Sequence, residues 1–292
     1  MRNRKVAILL CAVAVSCSLA AGCAGGSTQS SSDSAVEETT QEEEASSDSS
    51  GKTSDQEAAD HVADLIDGIY VQERTDQTDA QCEEAKAAWD ALTDTQKELV
   101  SGEFADPDYF GRDTGDASKD DPRNGDEIGE NELLVVSFGT SFNDSRVEDI
   151  KSIEDKLQEA YPDYSVRRAF TAQIIINHIQ ARDGEKIDNM QQALERAVDN
   201  GVKNLVVQPT HLMHGAEYDE LTEAVEAYAD QFDSVKIAEP LLGEVGNDAT
   251  VVNEDKKAVA EAITEKAVAD AGYDSLDAAK KDGVAFVFMG HG

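Results

Sequence analysis

The stretch Glu132-Leu-Leu-Val-Val-Ser-Phe-Gly-Thr-Ser141 (ELLVVSFGTS) decides how the second half of this 292-residue chain is read. An aliphatic run rich in β-branched residues reads as a strand, and Gly139 permits a tight turn at its end. Ser137, Thr140 and Ser141 then place hydroxyls just before a helix start, where they and free backbone amides could hold a carboxylate or phosphate. An ordinary capped βα turn has the same composition, and the spacing is neither a dinucleotide fingerprint nor a Walker loop. Working outward, similar runs recur at 164–166, 205–207, 235–237 and 284–288, separated by helical patterns near 145–160, 173–200, 217–231 and 254–271. Such alternation predicts an α/β domain over 131–292, with about five strands in a largely parallel sheet, flanking helices and right-handed crossovers. In a sheet of that kind ligands sit beyond the carboxyl ends of the strands.

Several chemistry-bearing residues fall at those ends. The second run leads into Arg167 and Arg168, two adjacent guanidiniums able to clamp carboxylates. Strand alternation points them to opposite faces, so at most one serves a given site and the other is expected in a surface pair. The third run leads into QPTHLMHGAEYDE, residues 208–220, where His211, His214 and Glu217 lie within seven residues. Two imidazoles and a carboxylate could hold a borderline cation, but the segment lacks the helical HExxH arrangement. Each residue also has a simpler account: His211 bonded inside the turn, His214 in solvent, Glu217 complementing a helix dipole. The fifth run ends in Met289-Gly-His-Gly292, where flanking glycines would let His291 approach a flat ligand. Its near-neutral pKa suits it to take a proton or, unprotonated, to bind a metal.

Together LLVVSFGTSFNDSR, RRAFTAQIIINHI, QPTHLMHGAEYDE and FVFMGHG resemble the N-terminal half of the anaerobic sirohydrochlorin cobaltochelatases, which are class II chelatases. The resemblance implies a tetrapyrrole held in a cleft between two similar α/β halves, with Co(II) as the substrate metal and no organic cofactor. It makes His291 the proton acceptor and metal ligand, Glu217 an assisting carboxylate near the macrocycle, and His211 a further substrate-side residue in that loop. Arg167, Arg168, Ser137 and Thr140 become candidates to receive the substrate's carboxylates. The family continues into a second half with another metal histidine and a further carboxylate, so this sequence is expected to be a fragment, the alternatives being a second half on a separate chain or binding without catalysis.

The residues before 131 read differently. A basic start, a short apolar core and Ala20-Ala-Gly-Cys23 look like a lipoprotein signal over 1–22, with Cys23 lipidated and the chain anchored outside the cytoplasm. The acidic Ser/Glu-rich stretch 23–56 is a tether with almost nothing to bury. Residues 57–102 carry apolar positions at helical spacing and a capping box at Thr93 and Gln96, which predicts a small three-helix module. Its AKAAWDALTDTQKELV segment resembles a helical module repeated in surface proteins of Gram-positive bacteria. Residues 103–130, rich in Asp, Gly and Pro, read as a solvated linker. The net charge of −36 excludes nucleic acid as a partner. Expected partners are sirohydrochlorin or a related tetrapyrrole, the membrane through a lipid anchor, and further copies of the chain in a homo-oligomer. The alternative function is an exported metal- or haem-binding lipoprotein without catalysis.

Overall fold

The computed structural model describes residues 53–111, 114–126, 128–244 and 250–289. Those up to Val259 form one compact unit, and those from Ala260 belong to a second. Cys23 and His291 lie outside the described residues, as do the signal and nearly all of the tether.

The first unit begins with helices α1 (Ser54–Ile69) and α2 (Thr78–Ala91) and the single turns α3 (Asp94–Lys97) and α4 (Pro107–Phe110). The Thr93 hydroxyl and backbone accept from and donate to Gln96 as the capping box requires. Ala59, Val62, Ala63, Ile66 and Ile69 line one face of α1 and pack against Cys82 and Ala85 of α2. The Asp67 carboxylate accepts from the N–H groups of Glu103, Phe104 and Ala105, each at 2.8 Å, and so ties down the start of the stretch read as linker.

Four strands, β1 (Asn131–Ser137), β2 (Ser165–Phe170), β3 (Asn204–Pro209) and β4 (Ser234–Ile237), form a parallel sheet in the order β2-β1-β3-β4. Central β1 is buried over six successive residues, which explains why its sequence is continuously apolar instead of alternating. After β1 the chain enters α5 (Asn143–Ser145), widens into a π-helical turn over Arg146–Lys151 and continues as α6 (Ser152–Ala160). The helical pattern at 173–200 resolves into α7 (Gln173–Asp183) and α8 (Met190–Asp199). Gly184, at φ +73°, ends the first, and Asn189 caps the second. Helix α9 (Ala216–Glu226) follows β3 and lies on the core of Leu134, Val136, Leu205 and Val207.

Helix α7 is buried nearly all round because the helical module covers one side and Phe170, Ile187 and Ile150 pack against Ile176 and Ile179 on another. Ala181 joins the module's core, the Asn177 amide donates to the Ile69 carbonyl at 3.0 Å, and the Gln180 amide donates to Asp79 at 3.0 Å. The stretch read as a solvated linker also enters the interior. Asp120 has no exposed side-chain surface and accepts from Arg146 at 2.9 Å and from Arg168 at 2.7 and 2.9 Å. Composition hid this, because an acidic residue in a Gly- and Pro-containing stretch signals solvent unless its cationic partners are known.

Beyond β4 come α10 (Glu254–Asp270), within which the second unit begins, and α11 (Leu276–Lys281), capped by the Ser275 hydroxyl. The predicted fifth strand does not form among the described residues: 284–288 have no ladder partner there, and Val287, Phe288 and Met289 are exposed. Strand propensity expresses a fit to a half-buried pleated surface, and without a paired neighbour the run stays irregular.

Candidate functional site at the carboxyl edge of the sheet

The loops after β1, β2 and β3 are sewn together by their backbones. Thr171 N donates to Ser137 O, Ala172 N to Phe138 O, and Thr210 N to Val136 O. Gly139, at φ +101°, is required where it stands, since a Cβ there would lie 2.5 Å from the Phe170 ring. Ser137 is buried, with its hydroxyl 2.9 Å from that of Thr210, while half-buried Thr140 accepts from Phe142 N at 3.2 Å. Arg182 of α7 braces the same loop by donating to Ser141 O at 2.6 Å. A residue the sequence reading passed over, Thr171, has a buried hydroxyl without a hydrogen-bond partner at this edge.

Strand β2 runs on through Phe170, four residues past the run at 164–166, and pairs Phe170 with Ser137 at the edge. Arg167 and Arg168 therefore sit in the middle of the sheet, opposite Leu134 and Val135, and not at its carboxyl end. The guanidinium of Arg168 is consumed: Nε donates to Glu154, Nη1 to Asp120, and Nη2 to both. Desolvation opposes its charge, but these two carboxylates outweigh it and hold its pKa above the ordinary value. Burial likewise opposes ionisation of Asp120, and the two guanidiniums overcome it, leaving that carboxyl below the usual range. Arg168 is thus a framework residue, not the surface pair or substrate clamp its sequence suggested. Arg167 points to the opposite face, where burial lowers its pKa and Glu132 opposes that shift. Burial pushes the Glu132 carboxyl up to about 7 despite Arg167.

The β3 edge gathers the histidines. The His211 side chain is only 9% exposed, and its Nε2 lies 3.2 Å from a Glu217 carboxylate oxygen. Glu217 is the acidic neighbour of the ring, and apart from that contact both buried ring nitrogens lack a well-formed hydrogen bond. Burial lowers its pKa and prevails over the attraction of Glu217, so the ring is neutral at pH 7. A neutral imidazole beside a carboxylate can take a proton or offer a lone pair. His214, in contrast, has both nitrogens engaged by carboxylates: Nδ1 lies 2.5 Å from Glu244 and Nε2 2.6 Å from Asp219. Those bonds raise its pKa and favour the imidazolium form, and they leave neither nitrogen free to act as a base or ligand. Leu212, Met213 and Leu241 stand about half exposed on these same loops. Among the described residues, no three His, Cys, Asp or Glu side chains are arranged to hold a metal ion.

A family model described as cobalt chelatase (CbiK) matches residues 131–292. The chain belongs to this cobalt chelatase family. The matched span takes in the sheet, the β1 turn and the His211–Glu217 loop, whereas the helical module docked on α7 lies outside it. Among curated relatives, the sirohydrochlorin cobaltochelatase of Salmonella typhimurium is 36% identical over 110 residues, which is 38% of this chain and 42% of the relative. The sirohydrochlorin cobaltochelatase CbiKC of Nitratidesulfovibrio vulgaris is 30% identical over 162 residues, 55% of this chain and 51% of the relative. The chain thus spans about half the length of the curated chelatases it matches.

Proposed function

We propose that this chain takes part in cobalt insertion into sirohydrochlorin, the step that makes it a lyase of cobalamin biosynthesis. The observation that carries the reading is the neutral, unbonded His211 beside Glu217, at the carboxyl edge of a sheet that belongs to the cobalt chelatase family. Insertion requires two pyrrole N–H protons to leave as a divalent cation arrives, so near-neutral bases at the macrocycle lower the barrier. In this proposal Glu217 and His291 handle protons, His291 also meets the incoming Co(II), and His211 and Thr140 face the substrate. Buried Ser137 supports the loop through Thr210. The leader sequence further supports attachment to the outer face of the cell membrane through lipidated Cys23.

The test is anaerobic mixing of the purified protein with sirohydrochlorin and Co(II), followed by the absorbance change of metallation. Acceleration over the protein-free rate, lost in His291→Ala, is the expected result. Tight binding of the macrocycle with no acceleration would overturn the chelatase reading in favour of a tetrapyrrole binder. Mass spectrometry of detergent-extracted protein checks the anchor: a diacylated Cys23 at the mature N-terminus is expected, and an unmodified one would refute it.

A further inference from the structure

We propose that His214 is a positioning residue whose imidazole, gripped by Asp219 and Glu244, fastens the loop after β4 onto the loop that carries His211 and Glu217. Thirty residues separate His214 from Glu244, and Asp219 lies in the first turn of α9, so one ring joins two segments of the chain. The joint is continued by the backbone, where Leu241 N donates to His211 O at 3.0 Å and Leu242 N to Leu212 O at 2.8 Å. Asn253 holds the far side of the loop by donating to Leu242 O. Once fastened, the two loops present His211, Glu217 and the apolar side chains of Leu212, Met213 and Leu241 as one wall suited to a flat, largely apolar ring. That last step rests on the chelatase reading, but the clamp itself does not.

The grip depends on charge. An imidazolium donates from both nitrogens and neutralises part of the repulsion between Asp219 and Glu244, while a neutral ring can donate from only one. Tyr218 lies tilted against it, with ring centroids 4.6 Å apart and planes at 59°, and donates to Ala238 O. Glu239 and Glu244 both act electrostatically on that tyrosine, so the named titratable neighbours of the clamp are the carboxylates of Asp219, Glu239 and Glu244 and the Tyr218 phenol. Because the two carboxylates raise the histidine's proton affinity, the clamp is whole below its shifted pKa and weakens as the pH rises through it.

The experiment is amide hydrogen exchange of Leu241 and Leu242 across the His214 titration, corrected for intrinsic rates, with Leu205 of β3 as an internal reference. In the wild type, protection of Leu241 and Leu242 should fall by about tenfold above the His214 midpoint while Leu205 is unchanged. His214→Gln and Glu244→Gln should show the weakened protection at every pH, and His214→Arg, a permanent cation with several donors, should restore it. Unchanged wild-type protection across the titration, or a glutamine variant as protected as the wild type, overturns the proposal. Fluorescence titration with sirohydrochlorin is the second readout: His214→Gln should weaken affinity by roughly tenfold and His214→Arg recover it. Altered exchange with unaltered affinity refutes the positioning role. If the wild type binds no sirohydrochlorin, the chelatase reading fails, and the exchange data still decide whether the clamp exists.

Discussion

Arg168 and His211 are both buried polar residues of the same sheet region, and they are treated in opposite ways. Every nitrogen of Arg168 has a carboxylate partner in Asp120 or Glu154, and the network runs on through Asp120 to Arg146. Neither nitrogen of His211 has a hydrogen bond. A buried charge is tolerable only when paired, so the first arrangement holds the fold together. A buried imidazole without a well-formed hydrogen bond costs stability, and the proposed function gives this one a reason to stay open.

Removing Arg168 from its network should have the largest effect. Arg168→Leu strands Asp120 and Glu154 as buried anions and is expected to lower stability by about 3–5 kcal/mol in urea unfolding. A loss under about 1 kcal/mol would mean that water enters the network freely. Glu132 offers the reverse case of a buried carboxyl that is better neutral. Its folded pKa, about 7, lies above the unfolded value, so stability is fullest at low pH and falls as the pH rises through 7. Glu132→Gln should therefore stabilise the protein by about 2–3 kcal/mol at pH 8, with the gain fading towards pH 4. A gain that does not change with pH would refute the burial argument.

At the carboxyl edge smaller effects are expected. Gly139→Ala forces a methyl group towards Phe170 at an unfavourable φ, and about 1–2 kcal/mol should be lost in the same unfolding assay. His211→Asn should alter stability by less than about 1 kcal/mol at pH 8, because no hydrogen bond is given up. Its pH dependence is more telling. The folded pKa of His211 is depressed, so the wild type should lose stability relative to the variant as the pH falls below about 6.5. Parallel stability curves would show that the ring is not held neutral, and the contrast with Arg168 would disappear.

Much of the architecture was legible because it repeats locally. The four strands, the helices after them and the Thr93–Gln96 capping box follow from spacings within a turn of helix or a few residues of strand. Propensity misled where pairing decides. Residues 284–288 have strand composition but no ladder partner among the described residues, and β2 continues four residues beyond its obvious run because β1 supplies one. That extension is what carried Arg167 and Arg168 away from the edge. His211 and Glu217 were visible as a motif, whereas the burial that keeps His211 neutral was not.

By itself, the sequence determined the class of fold, the family and the segment in which His211, His214 and Glu217 lie together. These are consequences of hydrophobic periodicity and of motifs contiguous along the chain. Tertiary structure alone decided which charges are structural and which remain available. Asp120 meets Arg168 across 48 residues, and His214 meets Glu244 across 30. Hydrogen bonds act over about 3 Å, and burial depends on everything that surrounds a group, so neither has a signature in the order of residues.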